Sequence, residues 1–271
     1  MMQKKVELSE LQELVYAIFK DFARVCEKHN IKYSLEGGTL LGAVKYGGFV
    51  PWDDDIDIIM HRSEYNKFLK IAPKELGEDF FLQSYNNVRE FPLNYAKICY
   101  NKSQIYDYDY SHLKSMNHGI FIDIFPIDNV RPEKLKNQLH IIGLLTGARK
   151  TKLNIKLTRV SKAKKIIYKI VSLLPMSVLC KLLDFECSKY NGHDTGFCYE
   201  VCNSNANFKP LSSDIYSELE YVKFKDGEYL AVKRYDEFLK SRFGENYMTE
   251  LPPEDKRKPS HNQNILVEVD E

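Results

Sequence analysis

Leu11, Leu14, Val15, Ile18, Phe22 and Val25 recur at helical intervals after a Ser9–Gln12 capping-box spacing, so the chain opens on an amphipathic helix ending near His29 and Asn30. Residues 31–35 (IKYSL) alternate as a short strand does. Gly37 and Gly38 turn that strand into a helix start over 39–44. A glycine-rich loop at 46–52 leads into DDDIDIIM, where 55–59 predict a strand and Ser63 is placed to cap a helix over 64–71. Further strands are expected at 80–85, 95–99 and 119–125. Pro132 opens a helix running to about residue 145, a helical pattern continues after Gly147 to a break near Pro175, and a last helix of this group passes through Cys187. Alternation returns at 197–203 and at 221–224, where Asp226-Gly227 signals a turn, and a short helix is expected over 234–243. The Pro-rich, charged tail belongs on the surface. Few, closely spaced strands among helices predict an α+β fold, an α/β-type mixed sheet of four or five strands with a helical insertion in mid-chain.

Composition narrows the class. With 271 residues, 44% of them hydrophobic and 33 Tyr and Phe available for burial, the chain is globular, not disordered or low-complexity. The longest nearly apolar window, 166–179, is broken by Lys169 and Pro175 and falls short of a bilayer span. The N-terminal MMQKKVELSELQEL has no apolar core, so no secretory signal is expected, and a cytoplasmic setting keeps the six cysteines as thiols.

Charge is balanced overall at +1 but not locally: residues 134–183 hold 12 Lys and Arg and no acid, which leaves −11 on the rest. Such asymmetry points to a polyanionic or membrane-surface partner for the basic part, and no nucleic-acid partner is expected. Lysines alternate with Ile166, Ile167, Ile170, Val171 and Leu174 at helical spacing, so 149–181 is a candidate for peripheral association with the inner face of a membrane. The competing account packs that apolar face on the core and leaves the lysines as solvated surface.

Candidate chemistry concentrates in two places. Asp55 and Asp57 lie two residues apart on an otherwise apolar strand, so they share a face with Cα atoms about 7 Å apart and repel unless a cation sits between them. Hard oxygen donors on a rigid element suit Mg²⁺ or Mn²⁺ and suit Zn²⁺ poorly. Asp123, inside the apolar GIFIDIF, is a third acid that is costly to bury unless it is paired or bound to metal. Three acids on neighbouring strands could hold the metals of an in-line phosphoryl displacement. The alternatives are an acidic turn before an edge strand and, for Asp123, a pairing with a lysine such as Lys97. Gly37, Gly38 and Thr39 add a strand, a glycine pair, a hydroxyl and a helix N-terminus, a place where backbone N–H groups can meet a phosphate. Cys180, Cys187, Cys198 and Cys202, with His193 between, have intervals of 7, 11 and 4 that lack the paired spacings of zinc modules, and buried thiols are expected instead.

The run EGGTLLGAVKYGGFVPWDDDIDIIMHRSEYNKFL, residues 36–69, resembles the signature of the LicD family, phosphocholine transferases that decorate bacterial surface glycans. GIFIDIFPID at 119–128 and FGENYMTELPPEDKRKPSHN at 243–262 resemble that family's second and C-terminal blocks. The resemblance implies a nucleotidyltransferase-like core, a divalent metal, and transfer of a phospho-substituent from a CDP-linked donor nucleotide to a hydroxyl of a glycan or lipid-linked glycan acceptor. Carried over by motif, Gly37, Gly38 and Thr39 meet the donor phosphate, Asp55 and Asp57 bind metal, and Asp123 is the third catalytic acid. Lys45, Arg62 and Arg257 match basic positions of the blocks and are assigned to donor phosphate, while His118 and His261 lie beside them and could touch phosphate or acceptor. In this reading 1–130 form the catalytic core, 131–195 the basic helical region, and 196–271 complete the core and the site. Two rivals use the same residues: a nucleotidyltransferase that consumes a nucleoside triphosphate, and a non-catalytic glycan-binding module.

Overall fold

The computed structural model describes residues 2–105, 110–202, 209–249, 251–254, 257 and 265–269. In chain order the elements are β1 (Met2–Lys5), α1 (Leu8–Lys28), β2 (Ser34–Leu35), α2 (Gly37–Tyr46), β3 (Asp57–His61), α3 (Arg62–Glu75), β4 (Phe80–Gln83), β5 (Ala96–Tyr100), β6 (Ser103–Ile105) and β7 (Phe121–Asn129). They continue with α4 (Pro132–Lys152), α5 (Lys162–Val171), α6 (Met176–Ser188), β8 (Phe197–Tyr199), β9 (Leu211–Ser212), β10 (Leu219–Phe224), β11 (Gly227–Val232), α7 (Tyr235–Phe243) and β12 (Ile265–Val269).

The main sheet runs β2-β3-β7-β5-β4, with β8 joined to β7 and β9 to β8. Strands β3 and β7 are parallel and the other pairs are antiparallel, so the protein is α+β with a mixed sheet. Ile58, Ile59 and Met60 of β3 are consecutive and buried, as are residues 122–128 of β7, the continuous burial of strands covered on both faces. The apolar stripe of α1 buries Leu11, Val15, Ile18, Phe19, Phe22 and Val25 in the same core. Its Phe22 ring lies 4.9 Å from Phe68 of α3, tying both helices together over the sheet.

Several boundaries differ from expectation, each for a local reason. Helix α1 starts at Leu8 behind an extended Glu7, with no side-chain cap, so Ser9 lies inside the first turn. Only Ser34 and Leu35 of the alternating 31–35 run pair as strand, because the Ile31 N–H closes on Cys26 O and Asn30 turns left-handed at φ 48°, completing the end of α1. The acidic strand is assigned from Asp57, yet the Asp123 N–H donates to Ile56 O at 3.0 Å, so pairing continues towards Asp55. Helix α3 begins at Arg62, which puts Ser63 within it. The tail is not wholly unstructured surface: β12 pairs with β1 and β6 in a second, three-stranded sheet. A β10–β11 hairpin closes through Lys225-Asp226 with Lys225 at φ 56°.

Helices α4 and α6 share a separate apolar cluster built on Val130, Ile142, Leu145, Ala148, Leu179, Leu183 and Val201. Arg149 is fully buried there and reaches back to the sheet region, donating to Asn94 Oδ1 and Phe91 O at 2.8 Å each. One of the basic residues of the +12 stretch is therefore structural. Helix α5 contributes no fully buried residue: Val171 packs on that cluster from its edge and Tyr168 lies against Gly147, while Ile166, Ile167 and Ile170 stay exposed. Among the described residues no single helix is long and apolar enough to cross a membrane.

Candidate active site

The parallel pairing of β3 with β7 sets Asp57 opposite Asp123, and the antiparallel pairing of β7 with β5 sets Asp123 opposite Lys97. Register thus lays two carboxylates and an ammonium side by side across three strands, on one face. Lys97 Nζ is 2.6 Å from Asp123 Oδ1, with both side chains largely buried. The pairing expected as an alternative for Asp123 is present, and it coexists with the alignment of Asp123 beside Asp57.

Just before β3 the chain bunches its acids. Asp53, Asp54 and Asp55 each present a carboxylate oxygen within 4.8 Å of the others. Gln12 of α1 steadies this turn by donating to Asp53 O at 2.8 Å. Burial first, and then the charges of Asp55 and Asp54, push the Asp53 carboxyl up to about 8. Burial raises Asp57 well above the usual carboxylate range, and Asp55, Asp123, Asp53 and Glu36 add to the effect. Tyr95 borders the same row: burial, then Asp123 and Asp57, hold its phenol well above the ordinary value.

The glycine turn fits against these carboxylates. Gly37 sits at φ +48°, a left-handed conformation that a side chain would strain, and a Cβ there would stand 3.9 Å from Asp57 Oδ2. A Cβ on Gly38 would come within 2.5 Å of Asp53 Oδ2. Thr39 is buried, and its Oγ1 accepts the Asp57 N–H at 2.9 Å, locking the first turn of α2 to the start of β3. The Glu36 N–H donates to Asp57 O at 3.0 Å, a second tie between the same segments. The N-terminus of α2 and the acid row are therefore one rigid unit.

A buried network that sequence reasoning did not find supports that unit. Arg242 of α7 lies 2.8 Å from Glu36 Oε1 and 3.9 Å from Glu200 Oε2, and all three side chains are nearly inaccessible. Burial raises the Glu36 carboxyl while Arg242 opposes that shift. Asp53, Asp54 and Lys97 were likewise not assigned to the site, although DDD in the sequence carried the signal for the first two.

Other assigned residues lie elsewhere. Arg62 follows β3 at the end opposite Asp57, five residues or about 16 Å along the strand. There Nε and Nη2 donate to the two carboxylate oxygens of buried Asp128, at 2.8 and 2.5 Å. Lys45 occupies the last turn of α2, about 12 Å from its start, where Nζ donates to Tyr247 O at 3.3 Å. Arg257 is exposed and donates to Pro252 O at 2.8 Å. His118 holds its own loop through Nε2 and Leu113 O, 3.1 Å apart, and His261 lies outside the described residues. All six cysteines are free, and among the described residues Cys180, Cys187, Cys198, Cys202 and His193 form no metal-ligating group.

Comparison with known proteins fits this geometry. The family described as LicD/FKTN/FKRP, nucleotidyltransferase domain, matches residues 30–150, the span that carries the glycine turn and every acid of the row. The chain is 30% identical to the lipopolysaccharide cholinephosphotransferase LicD of Haemophilus influenzae over 273 residues, covering 97% of this chain and 99% of that protein. It therefore belongs to the LicD family and is a phosphotransferase. Two shorter matches are an uncharacterised protein of Rickettsia typhi, 47% identical over 27% of this chain and 25% of that protein, and the mouse ribitol 5-phosphate transferase FKRP, 36% identical over 20% of this chain and 11% of that protein.

Proposed function

We propose that the protein transfers phosphocholine, or a similar phospho-alcohol, from a CDP-linked donor to a hydroxyl of a cell-surface glycan or its precursor, releasing CMP, within a nucleotidyltransferase-like core. The observation that carries this reading is the carboxylate group of Asp53, Asp55, Asp57 and Asp123 set against the glycine turn at the start of α2. The near full-length similarity to a cholinephosphotransferase supports the choice of donor, and the local match to a ribitol 5-phosphate transferase widens the class of alcohol.

The residues fit a divalent cation. Like charges crowd a partly buried turn, their hard oxygens suit Mg²⁺ or Mn²⁺, and burial first, then the neighbouring carboxylates, raise Asp53 and Asp57, a penalty that a bound cation would offset. Asp55 and Asp57 would hold the ion with Asp53 at hand, and its charge would neutralise the donor diphosphate. Gly37 and Gly38 let that diphosphate approach the backbone N–H groups at the head of α2. Asp123, fixed by Lys97, takes the proton of the acceptor hydroxyl as its oxygen attacks the alcohol-bearing phosphorus. The bond from that phosphorus to the bridging oxygen breaks, and CMP leaves with the electron pair. Catalysis by such a site rests on positioning and charge stabilisation. Arg62, bound to Asp128, is assigned to holding β7 to α3.

The test is a donor panel of CDP-choline, CDP-ethanolamine, CDP-glycerol and the common nucleoside triphosphates, each with and without Mg²⁺. Metal-dependent CMP release from a CDP donor, lost in Asp55→Asn and Asp57→Asn variants that remain folded, supports the reading. Pyrophosphate release from a triphosphate would replace it with nucleotidyl transfer.

A further inference from the structure

Helices α5 and α6 meet at 110° and display large apolar side chains outward. Ile166 and Ile170 on α5 are each 62% exposed, Leu173 in the link 81%, and Phe185 on α6 65%. Helix α6 has two apolar sides. Leu179, Leu183 and Cys187 are buried towards α4, whereas Val178, Leu182 and Phe185 recur at helical spacing on the open side. Helix α5 is seated by Tyr168, whose ring lies against Gly147 of α4, and by Val171 at the edge of the α4–α6 cluster, and Ile166 and Ile170 are left outward. Ordinary surfaces carry scattered exposed apolar residues, but a row of this size on adjoining helices marks an interaction site.

The charge beside that row selects its occupant. Lys162, Lys164, Lys165, Lys169 and Lys181 are all exposed on the same two helices, within the acid-free stretch 134–183. Asp184, the one carboxylate near them on α6 that is not buried, is taken by the Tyr85 hydroxyl. A second copy docked here would set lysine against lysine. A soluble polyanion would satisfy the lysines and leave Leu173 and Phe185 in water. An anionic bilayer surface supplies both a negative plane and an apolar layer beneath it. The 110° bend and the lysines within α5 suit a pair lying in the interface plane and do not suit a span.

We propose that the α5–α6 pair is a docking surface for anionic lipid bilayers, with Ile166, Ile170, Leu173 and Phe185 entering the headgroup–acyl boundary and the lysines above them meeting lipid phosphates. This inference stands on exposure and charge and does not depend on which donor the active site uses.

The experiment is co-sedimentation of the full chain with vesicles of phosphatidylglycerol and phosphatidylcholine, and with vesicles of phosphatidylcholine alone. Binding to the anionic vesicles is expected, falling steeply as salt rises through about 0.15 M, where charges are screened beyond about 8 Å. Neutral vesicles should leave the protein in solution. Changing Lys162, Lys164 and Lys165 together to Gln should weaken binding about a hundredfold, since each basic residue at such a surface is worth about fivefold. Ile170→Glu with Leu173→Glu should abolish it. Neither residue is buried, so the melting temperature of both variants should match the parent, which separates lost docking from lost folding. The proposal is overturned if the parent ignores anionic vesicles or if either variant binds as the parent does. It is also overturned if the parent is a dimer that Leu173→Glu converts to monomer, or if a soluble anionic polysaccharide binds as tightly as the vesicles and only the lysine variant loses it.

Discussion

Gly38→Ala separates the catalytic role of the glycine turn from its structural one, because the two are expected to move in opposite directions. A Cβ built on Gly38 falls 2.5 Å from Asp53 Oδ2, and ordinary contact begins near 3.4 Å, so that oxygen must retreat by about 0.9 Å. The obstacle is the tip of a side chain and not backbone, and Gly38 has no left-handed φ, so the fold can absorb the methyl. Alanine also favours the helix over glycine by up to about 1 kcal/mol. The melting temperature should therefore stay level or rise slightly. Turnover should fall by roughly a hundredfold, the usual consequence of displacing a catalytic group by about 1 Å. The assay is metal-dependent CMP release at saturating donor, run beside thermal melting of the same preparation. A variant that turns over within a few-fold of the parent would remove Asp53 and the glycine turn from the site. Joint collapse of activity and stability would mean that Gly38 serves packing.

Three further expectations bear on individual residues. Lys97→Met strips a largely buried carboxylate of its paired cation and should cost about 3–5 kcal/mol by urea melting, with part of the loss recovered in the Lys97→Met/Asp123→Leu double variant; additive losses would deny the pairing its importance. Arg62→Met should cost about as much through Asp128 while turnover per folded molecule stays within about threefold, and a selective loss of turnover would return Arg62 to the donor site. Because Asp53 titrates near 8 in the folded chain and near 3.8 otherwise, the folded state holds the extra proton between those values. Metal-free protein should thus lose stability as pH rises from about 4 through about 8, Mg²⁺ should flatten that slope, and a melting temperature that is level or rising in EDTA over this window would contradict the crowding.

What the chain discloses about itself follows from range. Asp55, Asp57 and Asp123 are conspicuous because charge inside an apolar strand is costly, and Gly37-Gly38, which alone would read as a turn, gains weight from the acids that follow it. Asp53 and Asp54 carried the same charge but read as a turn, since nothing local shows that α1 would bring Gln12 onto that turn. The Glu36–Arg242–Glu200 network joins α2, the chain beyond β8 and α7, and no spacing rule reaches so far. Arg62 shows how sequence proximity and distance in space part company: it lies near the acids in sequence, but an extended strand carries it away from Asp57. Among the strands, β7 stood out as a continuous apolar run, whereas β1 is too short to stand out before its partner β12, at the far end of the chain, is known.

The central claim is that the phosphate next to the alcohol moves with the alcohol. Its most direct test uses CDP-choline carrying an isotopic label on the choline-side phosphorus, incubated with Mg²⁺, enzyme and a glycan acceptor, with products separated and counted. The account predicts label in the glycan, in equimolar amount with choline, and unlabelled CMP. Label that stays with the nucleotide, or acceptor that gains cytidylate in place of phosphocholine, would contradict it.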